Sequence, residues 1–245
     1  MNNMNNMNNM NNMNNSEGFL ETYNNLDQYL KKEIRADDYV SYANKVRSSK
    51  NTVVNKFKDE LLSFGNLRNA IVHNPKVDNK VIAEPHDSTV ERFNKIYEMI
   101  TNPKKVIPTF QFDVLGAHED DYINNILKEM KQKSFSQFPV LGSNGTIIEL
   151  INNNTISRWL ASKIDENGEI IIDGVTVEKL IPEIEFKRNY KFISRETSIY
   201  KAYDLFLKHI NEEGRNLDAL FITHNGRETE KLLGLITISD LALLT

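Results

Sequence analysis

Two short runs of residues in this chain combine types and spacings that could do chemistry. The first is Gly234-Leu235-Ile236-Thr237-Ile238-Ser239-Asp240. Apolar Leu232-Leu233 precedes it and apolar Leu241-Ala242-Leu243-Leu244 follows. The pattern predicts a strand, Leu232 to Ile236, turning into a helix that starts near Ser239 or Asp240. Such a junction offers free backbone N–H groups and the positive end of a helix dipole. Thr237 could then bind a phosphate oxygen, and Asp240 could accept hydrogen bonds from the paired hydroxyls of a ribose. Gly234 would let a ligand approach the backbone closely. The competing reading is an ordinary helix N-cap, with Ser239 or Asp240 as the capping residue.

The second run is Leu67-Arg68-Asn69-Ala70-Ile71-Val72-His73-Asn74-Pro75. His73 can move protons near neutral pH. Arg68 offers a permanent charge with a planar donor fork, and Asn69 could orient either one. On a regular helix, residues five apart point about 140° apart. Arg68 and His73 are therefore not expected to converge unless the helix end unwinds at Asn74-Pro75 or a second subunit closes the site. The alternative has His73 capping carbonyls at a helix C-terminus and Arg68 paired with a carboxylate such as Glu60 or Glu98.

An internal repeat frames the first run. Phe138 to Ile151 reads as strand, Asn144-Gly145 turn, strand. Some 80 residues later the layout recurs, opening at Ala219-Leu220-Phe221-Ile222-Thr223-His224-Asn225-Gly226. Asn-Gly between apolar runs is a strong hairpin signal, because both residues tolerate positive φ. A helix is expected before each hairpin, Asp121 to Gln132 and Ser198 to Asn211. A twice-repeated unit of strand, helix, strand, strand, helix resembles a tandem pair of CBS domains over roughly Val106 to Leu244. The resemblance implies two modules packed through their sheets, with clefts for adenine nucleotides. Its Gly-apolar-x-Thr-x-x-Asp pattern is met by Gly234, Thr237 and Asp240, with Thr on phosphate and Asp on ribose. The first copy departs from it, carrying Glu149, Asn152 and Thr155 at those places. Glu149 is expected to put a carboxylate where phosphate would lie, so one cleft should be competent and the other degenerate. Trp159, the only Trp, is expected in core or interface packing beside that first cleft.

The amino-terminal half shows no strand pattern. Amphipathic helices are expected at Phe19 to Ile34, weakly at Asp38 to Arg47, at Thr52 to Val72 with a bend at Gly65, and after a capping box at Ser88-Thr89-Val90-Glu91. This is a four-helix arrangement, with Arg68, Asn69 and His73 late in its third helix. Here the chain resembles the HEPN superfamily, whose Arg-Asn-x-x-x-His form these residues match. The resemblance covers Phe19 to about Asn102. It implies a metal-independent ribonuclease acting as a dimer, in which RNA is cleaved by its own 2′-hydroxyl. Such cleavage needs a proton acceptor, a proton donor and a cation at the phosphate.

Composition bounds the rest. The chain has 245 residues and no cysteine, which removes disulfide and thiol chemistry. No apolar run approaches bilayer-spanning length and the N-terminus lacks a signal-peptide pattern, so a cytoplasmic protein without membrane contact is expected. Ser16 to Lys105 carries 15 Lys+Arg against 13 Asp+Glu, a net of +2; Val106 to Thr245 carries 15 against 21, a net of −6. The run Lys45 to Lys58 has five basic residues and no acidic one, usually a solvated face and less often a nucleic-acid contact. The fold class expected is α+β, a HEPN-like helical bundle followed by a two-module α/β CBS pair. The expected divisions are a disordered Met-Asn-Asn leader at 1–15, the helical domain at 16–102, a linker at 103–108, and modules at 109–164 and 165–245. No metal or required cofactor is expected. The expected partners are a second copy of the chain, an adenine nucleotide or related ligand, and RNA. The functional expectation is a CBS pair that senses the ligand and controls the helical domain. The alternative is a non-catalytic nucleotide-sensing and protein-interaction module.

Overall fold

The computed structural model describes residues 14–73, 83–164, 168–169 and 172–241. The chain divides into two compact units that meet at Lys104 and Lys105. The first unit is helical: α1 (Asn15–Glu33), α2 (Tyr42–Ser48), α3 (Thr52–Lys56), α4 (Lys58–His73) and α5 (Asp87–Thr101). Phe19, Tyr23, Leu26 and Leu30 recur at helical spacing and form the buried face of α1. Phe19 meets Phe64 of α4 and Phe93 of α5, with ring centroids 6.0 and 5.0 Å away. Those three rings tie three helices into one core.

Several expectations change here. The helix read as Thr52 to Val72 is two helices, broken at Phe57, where φ is −106° and ψ 22°. Asn51 starts α3 by accepting hydrogen bonds from the Val53 and Val54 N–H groups. The second of these, α4, runs unbroken through Gly65, from Lys58 to His73. A Cβ at 65 would lie 3.2 Å from the Tyr42 ring, so the glycine makes room for that ring. The last helix begins at Asp87 after His86, one residue before the expected capping box, and His86 gives no side-chain cap. Asn15, placed in the leader, opens α1, and its amide donates to Pro85 O and Asp87 Oδ1. The leader up to Met13 and the helix end at Asn74-Pro75 lie outside the described residues.

The second unit holds the repeat. Its first half contains α6 (Ile123–Lys133), an antiparallel hairpin of β1 (Gln137–Leu141) and β2 (Ile147–Asn152), and α7 (Asn153–Ser162). Its second half contains β3 (Tyr190–Ser194), α8 (Ile199–Glu213), β4 (Ala219–Thr223), β5 (Gly234–Ile236) and α9 (Ile238–Leu241). There β4 pairs parallel with β3 and antiparallel with β5. The counterpart of β3 in the first half is reduced to a single parallel bridge, Ala117 with Val140.

The boundaries between the halves move as well. The expected second module, 165–245, includes the 3-10 segment Val177–Glu183, yet Val177, Leu180 and the adjoining Ile184 pack into the first core with Trp159 and Ile151. The expected linker, 103–108, includes Val106 and Ile107, yet both are buried in the second core with Phe206 and Ile236. Apolar side chains follow the core that can cover them, whatever their order in the chain. Among the described residues no helix is long and apolar enough to cross a membrane.

A buried polar chain links the two halves. Asn152 Nδ2 donates to Asp218 Oδ2 at 3.2 Å, and the Asp218 N–H donates to Asn189 O at 2.9 Å. Asn189 Oδ1 accepts from His209 Nε2 at 3.1 Å. Burial, then Lys191 and Arg215, hold the His209 pKa below its usual 6.5. The folded state therefore favours neutral His209, and stability falls as pH drops from 6.5 toward the lowered value. Burial pushes the Asp218 carboxyl up from 3.8, which acts in the opposite direction at lower pH. The melting temperature is expected to fall between pH 7.5 and pH 6 by an amount that His209→Gln reduces. Parallel pH profiles for the two proteins would refute this role.

Candidate functional site

The Gly234–Asp240 run forms the strand-to-helix junction between β5 and α9. The Thr237 N–H donates to Asp240 Oδ2 at 2.7 Å, and the Thr237 hydroxyl donates to the same oxygen at 2.8 Å. This is the reach-back half of a capping box, with Thr237 just before the helix and Asp240 as the third helical residue. Neither Ser239 nor Asp240 is the N-cap residue; Thr237 is. Both Thr237 donors are thereby engaged by one carboxylate oxygen. Asp240 Oδ1 has no partner among the described residues.

Gly234 has a different neighbour from the one expected. A Cβ there would lie 1.9 Å from Phe110 O, so the space it leaves is filled by the chain itself. That contact belongs to a seam. The Val106 N–H donates to Thr197 O at 2.9 Å, and the Phe112 N–H to Leu233 O at 3.2 Å. The seam lays residues 106–112 along the second half of the unit. Phe110 and Phe112 then form one wall of a cleft of ≈ 300 Å³, with Phe135 and Pro139 from the first half. Leu235, Thr237, Ser239 and Asp240 also line it. Phe112, Leu115 and Phe135, all at the cleft, are 48, 39 and 43 % exposed. Large apolar side chains left open around a few convergent polar groups are the usual form of a small-molecule site.

The first copy of the motif is closed by its own residues. Glu149 is 5 % exposed, and its carboxylate accepts from the Arg188 N–H at 2.7 Å and from the Leu150 N–H at 3.1 Å. It does not stand in an open phosphate position; it holds the 188 backbone, where φ is +54°. Asn152 caps α7 by accepting from the Thr155 N–H at 3.0 Å and the Thr155 hydroxyl at 3.1 Å. Donor and acceptor have exchanged places relative to Thr237 and Asp240, leaving no carboxylate at that position. Trp159 is fully buried in the first core.

In the helical unit, Arg68 Nη1 lies 3.1 Å from His73 Nε2 and donates to Asn69 Oδ1 at 3.2 Å. The three residues converge on a continuous helix, contrary to the 140° expectation. Five residues advance only about 7.5 Å along the axis, a span the long arginine bridges. Arg68 also lies over the Tyr23 ring, 5.6 Å from its centroid. Burial and Asp27 push the Tyr23 phenol up to about 12, against the opposing effect of Arg68.

Beside it a cleft of ≈ 390 Å³ opens among α1, α2 and α4, lined in part by Tyr23, Asp27, Tyr42, Lys45, Arg68 and Asn69. Its other charges are matched: Lys45 Nζ pairs with Asp27 at 2.7 Å, and Asp38 with Lys31. Glu60, the expected partner of Arg68, is held by Arg92 at 2.8 Å, which keeps its carboxyl below the usual range. Among the described residues Arg68 has no carboxylate partner. Lys45, from the basic run, is buried in its ion pair and unavailable to nucleic acid. The described residues contain no group of three or more His, Cys, Asp or Glu able to hold a metal ion.

Comparison with known proteins bears on the second unit. The family model described as CBS domain matches residues 183–244, which include β3 to α9 and all three motif positions. The carboxy-terminal part of the chain therefore contains a CBS domain. No curated protein matches the chain. Among solved structures, a CBS domain pair in complex with 5-methylthioadenosine and S-adenosyl-L-methionine is 15 % identical, with 58 % of this chain and 95 % of that one covered and a TM-score of 0.41. CBSX2 in complex with AMP is 15 % identical, with 57 and 94 % covered and a TM-score of 0.40. A CBS-domain containing protein from Agrobacterium tumefaciens is 13 % identical, with 54 and 83 % covered and a TM-score of 0.39.

The contact at Gly234 yields a direct test. Gly234→Ala should destabilise the protein by about 2 kcal/mol or more, through overpacking against a backbone carbonyl. Gly18, inside α1, has nothing within 4 Å of an added Cβ. Gly18→Ala should therefore stabilise by about 0.5–1 kcal/mol through helix propensity. Thermal or denaturant unfolding compares the two, and a neutral Gly234→Ala would show that the seam yields.

Proposed function

We propose that the second unit is a regulatory sensor for an adenosine-containing ligand, bound in the Asp240 cleft. One observation carries the reading. The matched Gly-apolar-x-Thr-x-x-Asp motif has its carboxylate, with one oxygen unengaged among the described residues, in the lining of an open apolar cleft of ligand size. In this reading the apolar walls take the base, Asp240 Oδ1 accepts from the ribose hydroxyls, and Thr237 holds the carboxylate in place beside the 5′ end. Gly234 acts through the seam that positions Phe110. The first copy, with Glu149, Asn152 and Thr155, serves packing.

AMP, adenosine, 5′-methylthioadenosine and S-adenosylmethionine form the panel to test by calorimetry. Asp240→Ala should weaken the binding of each active compound by about 1.5–3 kcal/mol, the size of a charge-assisted hydrogen bond. Equal affinity for wild type and variant, or no binding by any of the four, would end this reading.

A second reading is supported by Arg68, which contacts His73 and has no carboxylate partner among the described residues. In it the helical unit is a HEPN-like, metal-independent endoribonuclease with Arg68, Asn69 and His73 at its site. The guanidinium N–H donates to Nε2, so that nitrogen carries a lone pair and can accept a proton once substrate phosphate draws Arg68 away. The expected dimer would bring two such sets together, and the sensor would set their geometry. Purified protein should then cleave RNA in EDTA to ends bearing a 2′,3′-cyclic phosphate. His73→Ala and Arg68→Ala should each abolish cleavage without unfolding the protein. Cleavage that survives His73→Ala, or a silent wild type with each panel compound present, would leave the non-catalytic sensor.

A further inference from the structure

The lining of the Asp240 cleft constrains its ligand further than the motif does. Among the described residues that line it there is no Lys, Arg or His, and Asp240 supplies its one formal charge. The nearest basic residue along the chain from the lining, Lys133, is held by Glu129 Oε1 at 2.7 Å. Two of the cleft's polar side chains already donate within the chain, which leaves the neutral hydroxyls of Ser134, Ser136 and Ser239 as side-chain donors. The Thr237 N–H and hydroxyl both donate to Asp240, and Gln137 Nε2 donates to Asp218 O at 3.2 Å. A phosphate is an acceptor-only group carrying about −1.5 to −2 charges at neutral pH. Among the described lining residues it would meet the Asp240 carboxylate, neutral serine hydroxyls and a threonine that offers lone pairs, with no cation to offset the carboxylate. Like charges at such range disfavour one another. The walls, by contrast, suit an uncharged or positive group. Phe110, Phe112 and Phe135 supply aromatic surface, which attracts cations and buries thioether sulfur well.

We propose that the Asp240 cleft selects adenosine whose 5′ substituent is uncharged or cationic, a thioether or a sulfonium, over the adenosine 5′-phosphates. This rests on the sensor reading above and narrows its ligand class.

The test is calorimetry of the full chain with adenosine, 5′-methylthioadenosine, S-adenosylmethionine, AMP and ATP at ionic strength of about 0.15 M and again at about 0.01 M. The unphosphorylated compounds should bind at least about tenfold more tightly than AMP, and ATP should be weakest. The gap should widen at low salt, as repulsion by Asp240 is less screened. Asp240→Asn keeps the size of the side chain and removes its charge. It should weaken adenosine while sparing or improving AMP, so that the ratio between them shrinks. A sulfonium preferred over the thioether, with the preference growing at low salt, would identify the cation as the favoured form; equal binding would identify the thioether body. AMP binding as tightly as adenosine would overturn the selectivity and leave the adenosine site standing. Failure of every compound to bind would overturn the sensor reading and this inference together.

Discussion

The Phe110 carbonyl resting where a Gly234 side chain would be is the contact on which the second unit's cleft depends. The chain enters that unit at Lys105 and immediately commits Val106 and Ile107 to the core built by β4, β5 and α8. Only a glycine lets the next turn press onto β5, since any Cβ would reach 1.9 Å from the carbonyl oxygen. With the seam in place, Phe110 and Phe112 line the same cleft as Asp240. The chain then passes to the first half and returns only at β3. The site is thus assembled from the two ends of the unit, and a local defect at residue 234 would reach it through residue 110.

Capping and ligand binding are not alternatives at Asp240. One carboxylate oxygen satisfies the orphan N–H at the start of α9 and fixes the Thr237 hydroxyl; the other stays available. In the proposed sensor the cap would pre-orient the other oxygen and lower the entropy lost when a ribose docks. The first half shows what happens without this division of labour. Asn152 uses its one oxygen to cap the Thr155 N–H and take the Thr155 hydroxyl, while its amide nitrogen donates to Asp218. Glu149 is drawn inward to the Arg188 backbone. The same fold position has become structural at one end and remains open at the other.

Periodicity and turn chemistry made most of the second unit legible in the sequence. The Asn144-Gly145 turn, the helices before both hairpins and the β5-to-α9 junction all follow from local patterns. What was not legible were partners distant along the chain. Gly234 signalled a close approach, and nothing local said that residue 110 makes it. Val106-Ile107 looked like linker because two apolar residues carry no period. Val177 and Leu180 lie on a short 3-10 segment with too few turns to show a face. In the helical unit the Thr52–Val72 period continued through the break at Phe57, since apolar spacing does not register one non-helical residue. The committed donors of Thr237 were beyond sequence reasoning altogether, because the motif names residue types and not where their protons go.

Arg68 is distinctive by what its neighbours do. Each nearby carboxylate has another cation: Asp27 has Lys45, Asp38 has Lys31, and Glu60 has Arg92. Its Nε is buried without a partner, and so is the Tyr42 hydroxyl on the same cleft. A buried polar atom left unpaired costs about 1–3 kcal/mol. That cost falls on an arginine beside an imidazole and an open polar cleft. Pairing Arg68 with a carboxylate would remove the cost and also cancel the charge that an incoming anion would meet. A ligand in the Asp240 cleft can alter this arrangement only to the extent that it binds two states of the chain with different affinity. If the two sites are coupled, the coupling has a thermodynamic measure independent of catalysis: whatever occupies Arg68 would change the affinity of the Asp240 cleft by the same factor, in the same direction.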